Sequence, residues 1–227
     1  MDTQTVGDLK ILTPDLDPRD LDHTADPPAD ELMESLVDGA DWAGLQLDTP
    51  RLRLSHLIRV NLAGATWQRP TVYGCRFELV DLSGARLEGA TLERCEFIGC
   101  RLTGLQLSDT TLKNVIFDNC RLDYASLTQV RSTGPTALLE SNLDHATITR
   151  CQLGQLVISR CRFDEVELHD CDLRGADLRG TDLSTVTGIS NLRGTVVTAS
   201  QIDELAATLT RELTLTVRAL GDDRGQP

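Results

Sequence analysis

The sequence predicts an all-β solenoid, a rod of stacked coils with a cap at each end. A bulky apolar residue recurs at every fifth position through most of the chain, a small residue precedes each one by two places, and glycine clusters two places after it. A five-residue period fits neither the 3.6-residue α-helix nor the two-residue strand, so each unit must make its own turn. With 227 residues, 40% hydrophobic and 25% charged, the chain suits one domain with a continuous core.

Residues 1–38 read as an acidic leader and N-terminal cap. The formal net charge is −13, and residues 1–48 supply most of it, with 13 acids against 2 bases, whereas residues 49–227 hold 22 acids against 20 bases. The run Asp15-Leu16-Asp17-Pro18-Arg19-Asp20-Leu21-Asp22 has the composition of a solvated, weakly ordered tail. Pro27-Pro28-Ala29-Asp30 then precedes Glu31 to Val37, which reads as a short capped helix whose Leu32, Met33 and Leu36 cover the first coil. Met1 to Leu12 contains no apolar stretch of the signal-peptide or membrane-span kind, so a cytoplasmic protein without membrane attachment is expected.

Residues 39–198 carry the repeat. From Trp42 the large apolar positions run through Leu47, Leu52, Leu57, Leu62, Trp67, Val72 and Phe77, and on in steps of five to Leu127. A one-residue slip falls near 128–137, after which the series resumes at Leu138 and continues to Leu183. Leu192 and Val197 extend it as a degraded last coil. The second inward position holds small residues such as Ala40, Ala65, Ala85, Ala125 and Ala176, and glycine at Gly64, Gly84 and Gly104 marks corners. Residues 199–227 form a C-terminal helix and tail, in which Ile202, Leu205, Ala206 and Leu209 make an amphipathic stripe.

Segments such as Val80-Asp81-Leu82-Ser83-Gly84, Ala85-Arg86-Leu87-Glu88-Gly89 and Ala176-Asp177-Leu178-Arg179-Gly180 resemble the A(D/N)LxG unit of the pentapeptide-repeat family, over roughly Gly39 to Thr185. The resemblance implies a right-handed quadrilateral parallel β-helix with four units per coil. An independent hint lies in spacings of twenty, which relate Phe77, Phe97 and Phe117, and also Cys75 to Cys95, Cys100 to Cys120 and Cys151 to Cys171. At about 4.8 Å per coil, seven coils would make a rod of about 34 Å. The resemblance also implies that the C-terminal segment joins two copies end to end.

Seven cysteines in one chain raise the question of metal or nucleophile chemistry. All seven occupy the small inward site two before a centre, where a free thiol acts as a compact hydrophobe. His23, His56, His145 and His169 read as separate surface histidines without ligand-like spacing. No nucleophile elbow, P-loop or dinucleotide fingerprint is present, so the expectation is a non-enzymatic protein with no cofactor and no metal.

Sorting outward residues by register separates the faces. One face carries Asp41, Asp81, Asp123, Asp144, Asp164, Glu165 and Asp182 against Arg101, Arg121 and Arg162, while the opposite face carries Glu93 and Asp172 against Arg51, Arg53, Arg94, Lys113 and Arg174. The acidic balance argues against direct nucleic-acid binding, which needs clustered cations. The resemblance implies instead a DNA-mimicking role, in which carboxylates along a rod occupy the basic saddle of DNA gyrase or another type II topoisomerase, as in the loop-less fluoroquinolone-resistance type. The alternative is a general protein-interaction scaffold.

Overall fold

The computed structural model describes residues 2–218; Met1 and 219–227, the end of the expected C-terminal tail, lie outside the described residues. The chain winds into a parallel β-solenoid of four faces, named here by their first centres as the Trp42, Leu47, Leu52 and Leu57 faces. The Leu47 face is a seven-stranded parallel sheet from Gln46–Asp48 to Glu167–His169. The Leu52 and Leu57 faces share a 12-stranded sheet, because Thr91–Ile98 and Thr111–Asp118 each run unbroken around the corner between them. On the Trp42 face coils are joined by single bridges, Asp41 to Asn61, Asn61 to Asp81, Asp81 to Arg101 and onward. Each unit there closes a tight turn, as where Ala65 N–H donates to Leu62 O at 3.0 Å.

Every predicted centre from Trp42 to Leu183 is buried except Leu47, which is half-buried. The coils stack like on like. Phe77 and Phe97 lie 4.6 Å apart between ring centroids at 5°, and Phe97 and Phe117 lie 4.8 Å apart at 12°. Except after Leu153 and Leu183, the corner residue two after a centre takes a left-handed conformation whether or not it is glycine, as at Gly64 (φ 68), Leu79 (φ 55), Arg94 (φ 53) and Tyr124 (φ 59). A non-glycine residue pays roughly 1–2 kcal/mol for that geometry, which the corner's two flanking ladders offset.

The ladder steps by twenty as far as Thr111 against Arg131, and by twenty-one from Val115 against Thr136. The extra residue therefore sits between Ser132 and Thr136, in the slip region. A second irregularity compensates near the end, where Asp177 pairs with Val196, a step of nineteen, across a 3-10 turn at Ile189–Leu192.

The N-terminal end departs from expectation. In place of a capped helix, Glu31–Met33 and Ser35–Asp38 are strands that pair with Arg51–Arg53 and His56–Ile58. Leu32 and Val37 stand twenty before Leu52 and Leu57 and occupy the same buried columns, while Met33 points outward. The repeat thus begins two units, half a coil, earlier than read. Below it Asp22–Thr24 pairs with Ser35–Val37 after only thirteen residues, a truncated coil that closes the rod's end. The Trp42 indole N–H donates to Ala25 O at 3.0 Å across that closure.

The leader is ordered as well. Strands β1 (Asp2–Val6) and β2 (Leu9–Thr13) form an antiparallel hairpin. Val6 and Ile11 bury themselves against Ile116, Ala137 and Val157, outward residues of the Leu57 face. Leu12 N–H donates to Asn114 Oδ1 at 3.2 Å, and Asp8 lies 3.9 Å from Arg179. Two faces of apolar surface meet here, so the hairpin is held by burial, while the run Asp15 to Asp22 read as a solvated tail is mostly exposed and carries a 3-10 turn at Pro18–Asp20.

At the other end α1 (Ala199–Glu212) starts in a capping box between Thr198 and Gln201. It closes the last coil through polar groups. Gln201 Nε2 donates to Leu178 O at 2.8 Å and Thr181 O at 2.7 Å, Thr208 donates to Ser184 O at 2.6 Å, and Glu212 accepts from Gly188 N–H and Ile189 N–H. These bonds satisfy carbonyls and amides at the end of the rod that no further coil pairs.

Candidate partner-binding surface

The predicted acidic residues do share one side of the rod, because a twenty-residue coil returns each register position to the same face. Asp41, Asp81 and Asp182 stand in the column before the centres, Asp123, Asp144 and Asp164 in the column after them, and Glu165 at the adjoining corner. Their environments divide them. Asp123 and Asp144 have side chains only 11% exposed, paired with Arg121 at 3.5 Å and Arg162 at 2.6 Å. Asp123 also accepts from the Thr103 hydroxyl, and Asp144 from Asp164 N–H. Asp81 is half-buried, 3.3 Å from Arg101, and caps Ser83 N–H.

Asp41, Asp164, Glu165 and Asp182 remain exposed. Asp41 accepts from Asn61 Nδ2 at 2.8 Å, and Glu165 lies 3.2 Å from His145 Nδ1. The Asp182 carboxyl is held below its usual range by hydrogen bonds from Ser184. Exposed carboxylates therefore sit toward the two ends of the Trp42 face, with Arg101 and Arg121 between them. The sequence sorted these residues correctly onto one face, but their pairing depends on side-chain reach, which spacing does not encode.

The leader adds charge that sorting by repeat did not place. Asp2, Asp20 and Asp22 are exposed, and the Asp8 side chain is almost fully so. The chain carrying them runs from a hairpin against Val157 down to His23, which pairs with Leu36. A second missed feature is aromatic. Tyr124, 62% exposed, stacks on the His145 ring at 4.8 Å and 13°, at the corner where earlier coils have bare glycine. A tyrosine at the position that the four preceding coils fill with Gly44, Gly64, Gly84 and Gly104 is the sequence signal for it.

His56, read as an outward surface residue, is buried beside Arg76 and Glu78; burial and the Arg76 charge push its pKa down. Six cysteines are buried in inward columns, and Cys171 is half-buried. Burial raises the thiol of Cys75 to about 12. Among the described residues no group of three or more His, Cys, Asp or Glu is placed to hold a metal ion, and no helix is long and apolar enough to cross a membrane.

The C-terminal stripe is split by the way α1 docks. Leu205 packs on the core, whereas Ile202 and Leu209 are 55% and 42% exposed. With Ala206, Ile189 and Leu192 they line an apolar groove at the end of the rod.

Two solved structures share this architecture. Both are trypsin-treated variants of QnrB1, a plasmid-mediated fluoroquinolone resistance protein. One is 18% identical with a TM-score of 0.57, covering 83% of this chain and 90% of that one; the other is 19% identical with a TM-score of 0.54, covering 84% and 91%. No curated protein matches the sequence. Residues 71–148 match the family description "pentapeptide repeat region" and residues 148–185 match "pentapeptide repeats (8 copies)". Matched repeats, four-sided coils and shared architecture agree, and the chain belongs to the pentapeptide-repeat family.

Proposed function

We propose that this protein is a non-enzymatic rod that binds a protein partner through its surface, and that the partner is a basic, DNA-accepting groove of the kind found in DNA gyrase and other type II topoisomerases. The observation that carries this reading is the fastening of the acidic leader to the rod. Its carboxylates, with Asp41, Asp164, Glu165 and Asp182, become charges at set positions on a rigid body, and preorganised charge is what a basic groove selects. The fold likeness to a fluoroquinolone resistance protein supports the choice of partner. The cytoplasm is where such a partner would be met.

The test is titration of the protein into gyrase supercoiling assays with and without a quinolone. Inhibition or protection is expected, reduced at least about tenfold by Asp41→Lys, Asp164→Lys and Asp182→Lys together, since each desolvated charge contact is worth about 1 kcal/mol or more. Absence of any effect would reject gyrase. The Tyr124–His145 stack favours a second reading, a scaffold for another protein, because exposed aromatics mark protein contacts and mimic no phosphate. Loss of a captured partner in Tyr124→Ala, with the three lysine substitutions silent, would support that reading.

A second copy is the occupant proposed for the groove at α1. Polar groups of the helix already cap the coil, which leaves Ile202 and Leu209 without a role inside the monomer. Sedimentation should show a dimer that Ile202→Glu with Leu209→Glu converts to monomer; a monomeric parent protein would dismiss the idea.

A further inference from the structure

The inward column of the Leu52 face ends differently from the others. It runs Pro50, Pro70, Ala90, Thr110, Val130, Cys151 and Cys171, each covered by the residue one coil on. Above Cys171 the regular coil fails. The 3-10 turn at Ile189–Leu192 shortens the step, and Asn191 takes the covering position, accepting from Cys171 N–H at 2.6 Å and donating to Leu168 O at 3.0 Å. Cys171 is consequently half-buried, and it lines a surface cavity with Asp172, Arg174, Ser190, Asn191 and Arg193.

Cys151 lies directly beneath, fully buried. The two residues are on hydrogen-bonded neighbouring coils, with Asp172 N–H donating to Cys151 O at 2.8 Å. Parallel neighbours stand about 4.8 Å apart between Cα atoms, inside the range of roughly 4.4–6.8 Å that a disulfide spans. One thiol of an adjacent pair is therefore open to a small molecule, and the other is reached only through it. Cys100 and Cys120 form the same kind of pair, yet both are buried under further complete coils.

We propose that Cys171 is a peroxide-reactive thiol and that Cys151 resolves its sulfenic acid to a disulfide joining the last two regular coils. The Cys171 thiolate attacks a peroxide oxygen, so that an S–O bond forms, the O–O bond breaks, sulfur loses two electrons, and the departing oxygen leaves as water after taking up a proton. Cys151 sulfur then attacks the Cys171 sulfur; the S–S bond forms, the S–O bond breaks, and the hydroxyl leaves as a second water with the proton of the Cys151 thiol. The hydrogen bond from the Cys151 thiol, with the nearby His169 acting in the same direction, holds the Cys171 thiol down at about 6. Arg174 at the cavity rim is paired with Asp172. The bond would tie the Leu52 face at the coil next to α1 and brace the C-terminal end.

The test uses the full reduced chain. Under native conditions Cys171 should alkylate at least about tenfold faster than any other cysteine, with a rate that rises through pH about 6 as the thiolate forms. After treatment with one equivalent of hydrogen peroxide, peptide mapping should find Cys151 linked to Cys171 with loss of two hydrogens, reversed by dithiothreitol. Cys151→Ala places at that site the residue the same column carries at Ala90, and should convert the product to a Cys171 sulfenic acid trapped by dimedone. Alkylation of Cys171 no faster than that of Cys100, or oxidised protein without the Cys151–Cys171 peptide, overturns the proposal.

Discussion

Replacing Phe97 by alanine is expected to remove about 3–5 kcal/mol of stability, a large share of what a domain of this kind possesses. Phe97 is the middle ring of three, stacked on Phe77 below and Phe117 above, so its loss leaves a cavity and breaks two aromatic contacts each worth about 0.5–1.5 kcal/mol. In a solenoid each coil is stabilised chiefly by its neighbours, and a fault in the middle uncouples the halves. Urea unfolding should show the midpoint falling steeply. Phe77→Ala leaves the Phe97–Phe117 pair intact and should cost less, and Arg86→Ala, on an exposed outward position, should change stability by no more than about 0.5 kcal/mol. A loss below about 1 kcal/mol for Phe97→Ala would mean that the stack does not hold the coils together.

Ile11→Asp should release the N-terminal hairpin while leaving the rod folded. Ile11 is fully buried against Ile116, Ala137 and Val157, and a carboxylate there has no partner in that cluster. The expected cost to docking is at least about 3 kcal/mol, which corresponds to about a hundredfold greater exposure of the segment. Two strands alone are marginal in water, so β1 and β2 should then open together. Trypsin cleavage after Lys10 reads this directly, with the coil amides followed by hydrogen exchange. Continued protection of Lys10 would show that the hairpin is held by something other than this apolar strip. Loss of protection throughout the coils would show instead that the rod depends on it. In the gyrase assay the same variant separates charge fixed to the rod from charge merely present in the chain, since it adds a carboxylate while freeing the leader.

Much of the rod could be read from spacing because the coil is periodic: a residue's face, and whether it points in or out, follow from its number alone. The cysteines show the reach of that rule, for every one went to the inward column assigned to it. Its failures have physical causes. Residues 31–37 read as a helix because Leu32, Met33 and Leu36 fit a helical stripe, yet Leu32 and Val37 also continue the five-residue series, and pairing with the next coil decided between the two patterns. Asp123 and Asp144 were correctly assigned to the acidic face but are neutralised there by Arg121 and Arg162, a matter of side-chain reach between columns. In α1 the residues against the coil proved to be Gln201 and Thr208 beside Leu205, since the last coil presents carbonyls to be satisfied and not only apolar surface to be covered.

By itself the sequence determined the stacked five-residue coil, its inward and outward columns and the position of the slip. All of these are local or periodic, and hydrophobic burial repeated at one interval leaves few alternatives. Only the tertiary structure decided where the leader lies, which carboxylates stay exposed, which face of α1 meets the rod and which cysteine is open to solvent. Each of those depends on surfaces brought together from distant parts of the chain, Val6 with Val157, Arg162 with Asp144, Thr208 with Ser184, Asn191 over Cys171, and no interval in the sequence records such meetings.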